Sequence, residues 1–179
     1  MPDAYSADKI FTGKEWINNA AVIIEKDVIT AIAPLTGLPA SVNVLKHAPI
    51  LAPAFIDIQI YGASSKLFSA FPSADSLYKL KDHCNKGGTK YFLPTIATNA
   101  YDVIRNGIDA MHYYRESGGE GIPGLHIEGP WINKIKRGAH IENFIHAPEA
   151  EEVRSLLEYR KGAIKIITLA PEVCSKEII

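Results

Sequence analysis

The sequence predicts an α/β chain in which a β-rich start of about 50 residues precedes alternating strands and helices. Three observations carry this. Residues 1–50 hold short β-branched runs separated by turn residues, and apolar runs then recur near residues 55, 90, 125 and 165. Between the later runs lie helical patterns with their own start and stop signals. Near-continuous apolar strands separated by helices imply parallel strands, right-handed crossovers and cover on both faces. A closed eight-stranded α/β barrel takes about 250 residues, and far fewer follow position 50. The pattern therefore fits a small open α/β sheet or the first half of a larger barrel.

In chain order, "DKIFTG", "AAVIIEKD", "VITAIAP" and "VNVLKHA" read as about four short strands. So few strands bury little alone, so they should pack on another layer. The run "AFIDIQI" (54–60) is the first strand of the second region. A helix follows at 73–86, with Ser73 as N-cap, a stripe of Leu77, Leu80, Lys81 and Cys84, and a stop at Gly87-Gly88. "YFLPTIAT" (91–98) is the next strand. Asn99 opens a second helix carrying Val103, Ile104, Ile108 and Met111, closed by Gly118-Gly119. "IPGLHIEG" (122–129) is the third strand. A third helix, roughly 149–160, uses Val153, Leu156 and Leu157 and ends at Gly162, and "AIKIITLAP" (163–171) is the last strand. The expected division is 1–50 and 51–179.

Composition excludes several classes of function. Net charge is −1 and the pI about 6.6, and the densest basic stretch, "KIKRG" at 134–138, holds only three cations. A nucleic-acid partner is not expected. No run approaches the roughly 18 apolar residues of a membrane helix, and "MPDAYSADK" lacks the features of a secretory leader. Cys84 and Cys174 are too few and too far apart for a disulfide framework. Reduced thiols in the cytoplasm are the expectation.

The chemistry of parallel α/β folds gathers at the C-terminal ends of the strands. Here those ends are polar. Asp57, Gln59 and Tyr61 alternate with Ile56, Ile58 and Ile60, Thr95 ends the second strand, His126 and Glu128 share a face of the third, and Thr168 and Glu172 lie at the exit of the fourth. Each has a plain structural reading: Asp57 as a turn cap, Tyr61 as a rim aromatic, His126 as a hydrogen-bonded core histidine. Glu128 is different, because a carboxylate at the end of an apolar strand pairs with Arg or Lys or binds a metal.

"LAPAFIDIQIYG", "FLPTIAT", "GLHIEGPWINKIKRGAHIENFI" and "KIITLAPE" together resemble the N-acetylglucosamine-6-phosphate deacetylases of the amidohydrolase superfamily, in the same order and over nearly the whole chain. The resemblance implies the first half of a (β/α)8 barrel, preceded by strands of a small β-sandwich domain. It implies hydrolysis of an amino-sugar phosphate with one divalent metal, zinc or iron. Most amidohydrolases end the first barrel strand with His-x-His, whereas Gln59-Ile60-Tyr61 stands here; the Gln is a familiar substitute in single-metal deacetylases, the Tyr is not. By the same resemblance Glu128 is the glutamate metal ligand, Ala139 (by its main chain) and His140 contact substrate, and Gln59, Tyr61 and His126 support the site.

The two later histidine ligands and the catalytic aspartate of that family have no counterpart here. His47 lies in the β-rich start, His83 and His112 fall on helices, and His146 precedes the third helix. The expectation is a chain that is inactive alone, with open apolar edges covered by another copy or by a complementary C-terminal half. Two alternatives stand beside it: another amidohydrolase acting on an N-acyl sugar or cyclic amide, and a non-catalytic half-barrel serving in assembly or regulation.

Overall fold

The computed structural model describes residues 1–179 and divides into two compact units, Met1–Ala54 and Phe55–Ile179. The first is a single four-stranded sheet of β1 (Asp3–Phe11), β2 (Trp16–Glu25), β3 (Val28–Pro34) and β4 (Asn43–Leu51), in the order β3-β2-β1-β4. β1 pairs antiparallel with β2 and parallel with β4. Its buried face is made of small and branched residues, Ala7, Ile10, Ala20 and Val22, with Ile17, Ile24 and Leu51 at the margin. The β2–β3 hairpin turns through Lys26 and Asp27, both at positive φ (50° and 65°). Two consecutive left-handed residues match the right-handed twist of the flanking strands.

The second unit carries the alternation. β5 (Phe55–Ile60) leads through a short ribbon, β6 (Gly62–Ala63) and β7 (Lys66–Leu67), into α1 (Ala74–Lys86). β8 (Thr89–Ala97), α2 (Tyr101–Glu116), β9 (Leu125–Glu128), α3 (Ala150–Glu158) and β10 (Ile164–Thr168) follow. The sheet order is β10-β9-β8-β5 and every pairing in it is parallel. This is the consecutive strand order of a β/α barrel, and it covers four strands.

Local chemistry explains the boundaries. Ser73 Oγ accepts the Ser76 amide 3.2 Å away and caps α1, and Gly88, at φ +82°, carries the chain out of it. Asn99 does not cap α2 as expected: its Oδ1 accepts the adjacent Ala100 amide at 2.9 Å, and Ala100 is the N-cap residue. A short polar side chain bonded to its own neighbour forms a local turn instead. In α3 the apolar stripe is Val153 and Leu156, while Leu157 is 44% exposed. α2 lies close against β8 because Gly107 has no side chain; a Cβ there would sit 2.3 Å from Ile96 Cδ1. The core between sheet and helices holds Phe68, Leu77, Leu80, Phe92, Ile108 and Met111 among others. No helix is long and apolar enough to cross a membrane.

The sheet is strongly curled. Neighbouring strands lie about 4.8 Å apart, so β9 and β5, with β8 between them, are separated by two spacings in a flat sheet. Yet His126 on β9 hydrogen-bonds the Ile58 carbonyl of β5 at 2.9 Å, and Glu128 meets Gln59 at 3.0 Å. Side chains of alternate strands meet in this way on the concave face of a barrel wall. The two edges of the wall are β5 and β10, and β5 leaves Phe55, Ile56 and Ile58 more than half exposed.

Candidate functional site

The C-terminal ends of β5, β8, β9 and β10 and the segment after β9 form the site. Glu128, the last residue of β9, has a side chain only 16% exposed. Its Oε1 accepts from Gln59 Nε2 at 3.0 Å and its Oε2 accepts from the Tyr61 hydroxyl. Gln59 Nε2 also donates to the Tyr61 oxygen at 2.6 Å. All these donors are neutral. The cationic group within 4 Å is His140 when protonated, with Nε2 at 3.9 Å from Glu128 Oε1. A carboxylate so withdrawn from water, with no lysine or arginine beside it, is a seat for a cation.

The hydrogen-bond network assigns the two imidazoles different work. A carbonyl only accepts, so His126 Nδ1 carries the proton bonded to Ile58 O, and Nε2 accepts from Thr168 Oγ1 at 2.7 Å. Both nitrogens are occupied and the ring is 4% exposed. His126 thus ties β9 to β5 and β10. His140 is oriented by Thr98: Thr98 Oγ1 donates to the Glu128 carbonyl at 3.3 Å and accepts from His140 Nδ1 at 2.8 Å. In the neutral ring this leaves the Nε2 lone pair free and directed towards the cavity beside Glu128.

That cavity, of about 420 Å³, is lined by Glu128, Asn133, Lys136, Ala139, His140 and Glu172 among others. Its wall after β9 is built from inside. Trp131, 1% exposed, donates Nε1–H to Glu152 at 3.2 Å and accepts the Ala170 amide at its carbonyl, 2.8 Å away. Arg137 donates to the carbonyls of Gly138 and His140 at 3.3 and 2.9 Å and pairs with Glu142 at 3.3 Å, which fixes the turn carrying His140. Asn133 donates to Glu172 at 2.9 Å. This hydrogen bond first, then a backbone amide, with Lys136 adding charge, holds the Glu172 carboxyl below the usual carboxylate range.

Gln59, Tyr61, Glu128, His126 and His140 thus meet at one corner, and Ala139 lines the adjoining cavity. Asp57 does not join them: its Oδ1 takes the Gln59 amide at 2.9 Å within β5. Thr95 also turns inward, accepting the Ile60 amide at 3.1 Å and donating to the Leu93 carbonyl. Thr98, three residues on, is the β8-side residue that reaches the site. Thr98 and Arg137 were not singled out by sequence, and only the position of Thr98 past the end of the apolar run marks it.

A family model described as NagA composite domain matches residues 6–46. An N-acetylgalactosamine-6-phosphate deacetylase of Escherichia coli O157:H7 is 29% identical over 175 residues, covering 96% of this chain and 45% of its own length. An N-acetylglucosamine-6-phosphate deacetylase of Bos taurus is 34% identical over 138 residues, 73% of this chain and 33% of the relative. The crystal structure of the N-acetylglucosamine-6-phosphate deacetylase from Pasteurella multocida superimposes with a TM-score of 0.83 at 28% identity, covering 96% of this chain and 45% of that one. The chain is similar to the N-terminal part of the N-acetylglucosamine-6-phosphate deacetylases. It spans less than half the length of these deacetylases. Its fold is accordingly the first half of their barrel, preceded by strands of their small β domain.

The donor set does not fit the divalent metal that the resemblance to amidohydrolases implies. No group of three or more His, Cys, Asp or Glu side chains converges in this chain, and a catalytic zinc takes three protein ligands. The residues present do not make a complete metal site. Glu128 and His140 form one corner, with an oxygen and a nitrogen facing each other.

Proposed function

We propose that the protein carrying this chain hydrolyses the acetamide of N-acetylglucosamine 6-phosphate, releasing glucosamine 6-phosphate and acetate in amino-sugar catabolism. The observation that carries this reading is Glu128: a withdrawn carboxylate at a barrel rim, held by neutral donors, beside a cavity of about 420 Å³. Two of the three relatives named above bear the name of this activity. In this reading Glu128 is one ligand of a single divalent ion, zinc or iron. The remaining ligands and the catalytic aspartate lie in a segment matching the rest of the deacetylases' length, so this chain alone is inactive. The protein acts in the cytoplasm, as a homo-oligomer or joined to that complementary half.

The residues of this chain have definite tasks within that reading. The free Nε2 of His140 accepts a hydrogen bond from a substrate hydroxyl or amide N–H, with its tautomer held by Thr98. The main chain at Ala139 offers an amide and a carbonyl to the sugar without side-chain bulk. His126 keeps β5, β9 and β10 in register beneath the site. No reaction step is assigned to the chain on its own.

A second reading is favoured by the 29% identity to an N-acetylgalactosamine-6-phosphate deacetylase over nearly the whole chain. The two substrates are epimers at one hydroxyl, so the same corner serves either. The discriminating experiment measures acetate released by the protein that carries this chain from both sugar phosphates and from unphosphorylated N-acetylglucosamine. The proposal predicts the highest kcat/KM for N-acetylglucosamine 6-phosphate. A preference for the galactosamine epimer supports the second reading, and no acetate from any of the three refutes both.

A further inference from the structure

A second carboxylate, that of Glu172, lines the cavity that holds Glu128 and His140. It stands on a single 3-10 turn, Pro171–Val173, just after β10. The start of the turn is anchored: the Ala170 amide donates to the Trp131 carbonyl at 2.8 Å, and Pro171 restricts the backbone that follows. The side chain is held as well. Asn133 Oδ1 accepts the Ile135 amide at 2.9 Å and caps the short helix Lys134–Lys136. Its Nδ2 is therefore the atom turned to Glu172 Oε1, 2.9 Å away. Turning the Asn133 amide over would set its NH2 against the Ile135 N–H and its carbonyl against the carboxylate. Asn133 thus occupies Oε1 of Glu172 and leaves Oε2 without a side-chain partner.

We propose that Glu172 is a specificity-determining residue, its Oε2 accepting a hydrogen bond from a ring hydroxyl of the sugar while Asn133 holds the carboxylate in place. The inference rests on the reading of the substrate as an amino-sugar phosphate, and no metal enters it. The carboxyl is held below its usual range, first by the Asn133 bond, so at neutral pH it is ionised and only accepts. A ligand must therefore bring a donor to it. The phosphate of the substrate would meet like charge at Glu172. The ring hydroxyls donate, and they are the donors that substrate and product share. Hydrogen bonds to an ionised acceptor are stronger than those between neutral groups, so a sugar lacking the hydroxyl in question is discriminated against.

The test is calorimetric titration of glucosamine 6-phosphate into the protein that carries this chain and into its Glu172→Ala variant, repeated with analogues that each lack one ring hydroxyl. Glucosamine 6-phosphate is the product of the proposed reaction, so it is not consumed during the measurement. Glu172→Ala is expected to raise Kd for the parent sugar about 10-fold, the lower end for a hydrogen bond to a charged acceptor because Glu172 is open to water. With at least one analogue the substitution should cost nothing further, which identifies the hydroxyl that Glu172 takes. An equal loss with the parent and every analogue marks a merely structural role and overturns the proposal. An unchanged Kd for the parent overturns it too, as does failure of the unsubstituted protein to bind glucosamine 6-phosphate. Acetate release from N-acetylglucosamine 6-phosphate is measured alongside. Release combined with equal losses keeps the deacetylase reading and removes this role of Glu172, whereas a hydroxyl-dependent loss without release removes the reading and keeps the role.

Discussion

Replacing Gly129 by alanine should damage the site through Thr98, and the size of the effect can be worked out. Gly129 has φ +82°, and an added Cβ would lie 2.1 Å from Thr98 Oγ1 and 3.3 Å from its Cβ. The left-handed backbone alone costs a non-glycine residue about 1–2 kcal/mol. Thr98 must also rotate away, losing its bonds to the Glu128 carbonyl and to His140 Nδ1, at about 0.5–1.5 kcal/mol each. Gly129→Ala is therefore expected to destabilise the second unit by about 2–5 kcal/mol. Thr98→Ala alone loses the two bonds, about 1–3 kcal/mol. In the Thr98→Ala background the 2.1 Å clash with Oγ1 is gone and only the 3.3 Å approach to Cβ remains, so Gly129→Ala should cost little beyond the backbone share of about 1–2 kcal/mol. The two substitutions are then non-additive by about 1–3 kcal/mol. The assay is urea unfolding followed by Trp131 fluorescence in a Trp16→Phe background, since the chain has two tryptophans and Trp131 lies in the core of the second unit. Additive effects would refute the claim that the crowding at Gly129 is borne by Thr98.

Two other substitutions probe the neighbourhood. Gln59→His combined with Tyr61→His places two imidazoles beside Glu128 and completes a three-ligand set; equilibrium dialysis should show one bound zinc per chain in the double variant and a clear loss when Glu128→Ala is added. His146 reports on pH. Burial lowers its pKa, but the Phe144 carbonyl and the Glu152 and Glu149 carboxylates outweigh this and raise it above the usual imidazole value. Its contribution to stability is thus fully present below the unfolded pKa of about 6.5 and is lost as pH rises through the higher folded value. The pair with Glu152, at 2.9 Å, is half-exposed, so His146→Gln should cost at most about 1 kcal/mol at pH 6 and nothing measurable at pH 9, read from urea midpoints.

The fold was legible where the physics is local. Ser73, Gly87 and Gly88 delimit α1 by chemistry confined to a few residues, and the recurrence of apolar runs marks four parallel strands. Asn99 misleads because its side chain takes the adjacent Ala100 amide, whereas an N-cap side chain takes an amide two or three residues on. At the rim, strand alternation identified polar side chains on one face but not which of them meet. Gln59 and Tyr61 reach Glu128 across an intervening strand, which follows from the curl of the sheet. Asp57, of the same alternation, turns to the Gln59 amide, at the point where β5 shifts register against β8. His140 faces Glu128 because Arg137 and Thr98 fold and anchor its turn. The Thr98–His140 contact joins residues 42 positions apart and the Gln59–Glu128 contact residues 69 apart, and local periodicity does not encode them.

The apolar edge on β5 bears on the same account. Phe55, Ile56 and Ile58 are 67%, 69% and 56% exposed, on a strand with one paired side. Natural proteins cover or charge such edges, and the deacetylases that this chain matches continue for more than its own length again.

The central claim is that Glu128 is a ligand of the catalytic cation in an amino-sugar phosphate deacetylase. It is tested most directly by acetate release from N-acetylglucosamine 6-phosphate by the protein that carries this chain, with Glu128→Gln compared with the unsubstituted residue and bound metal measured on both. The account predicts one divalent ion and acetate release in the unsubstituted protein, and loss of both in Glu128→Gln while His126 and Thr168 still hold the strands. Undiminished metal content and acetate release in Glu128→Gln would contradict it.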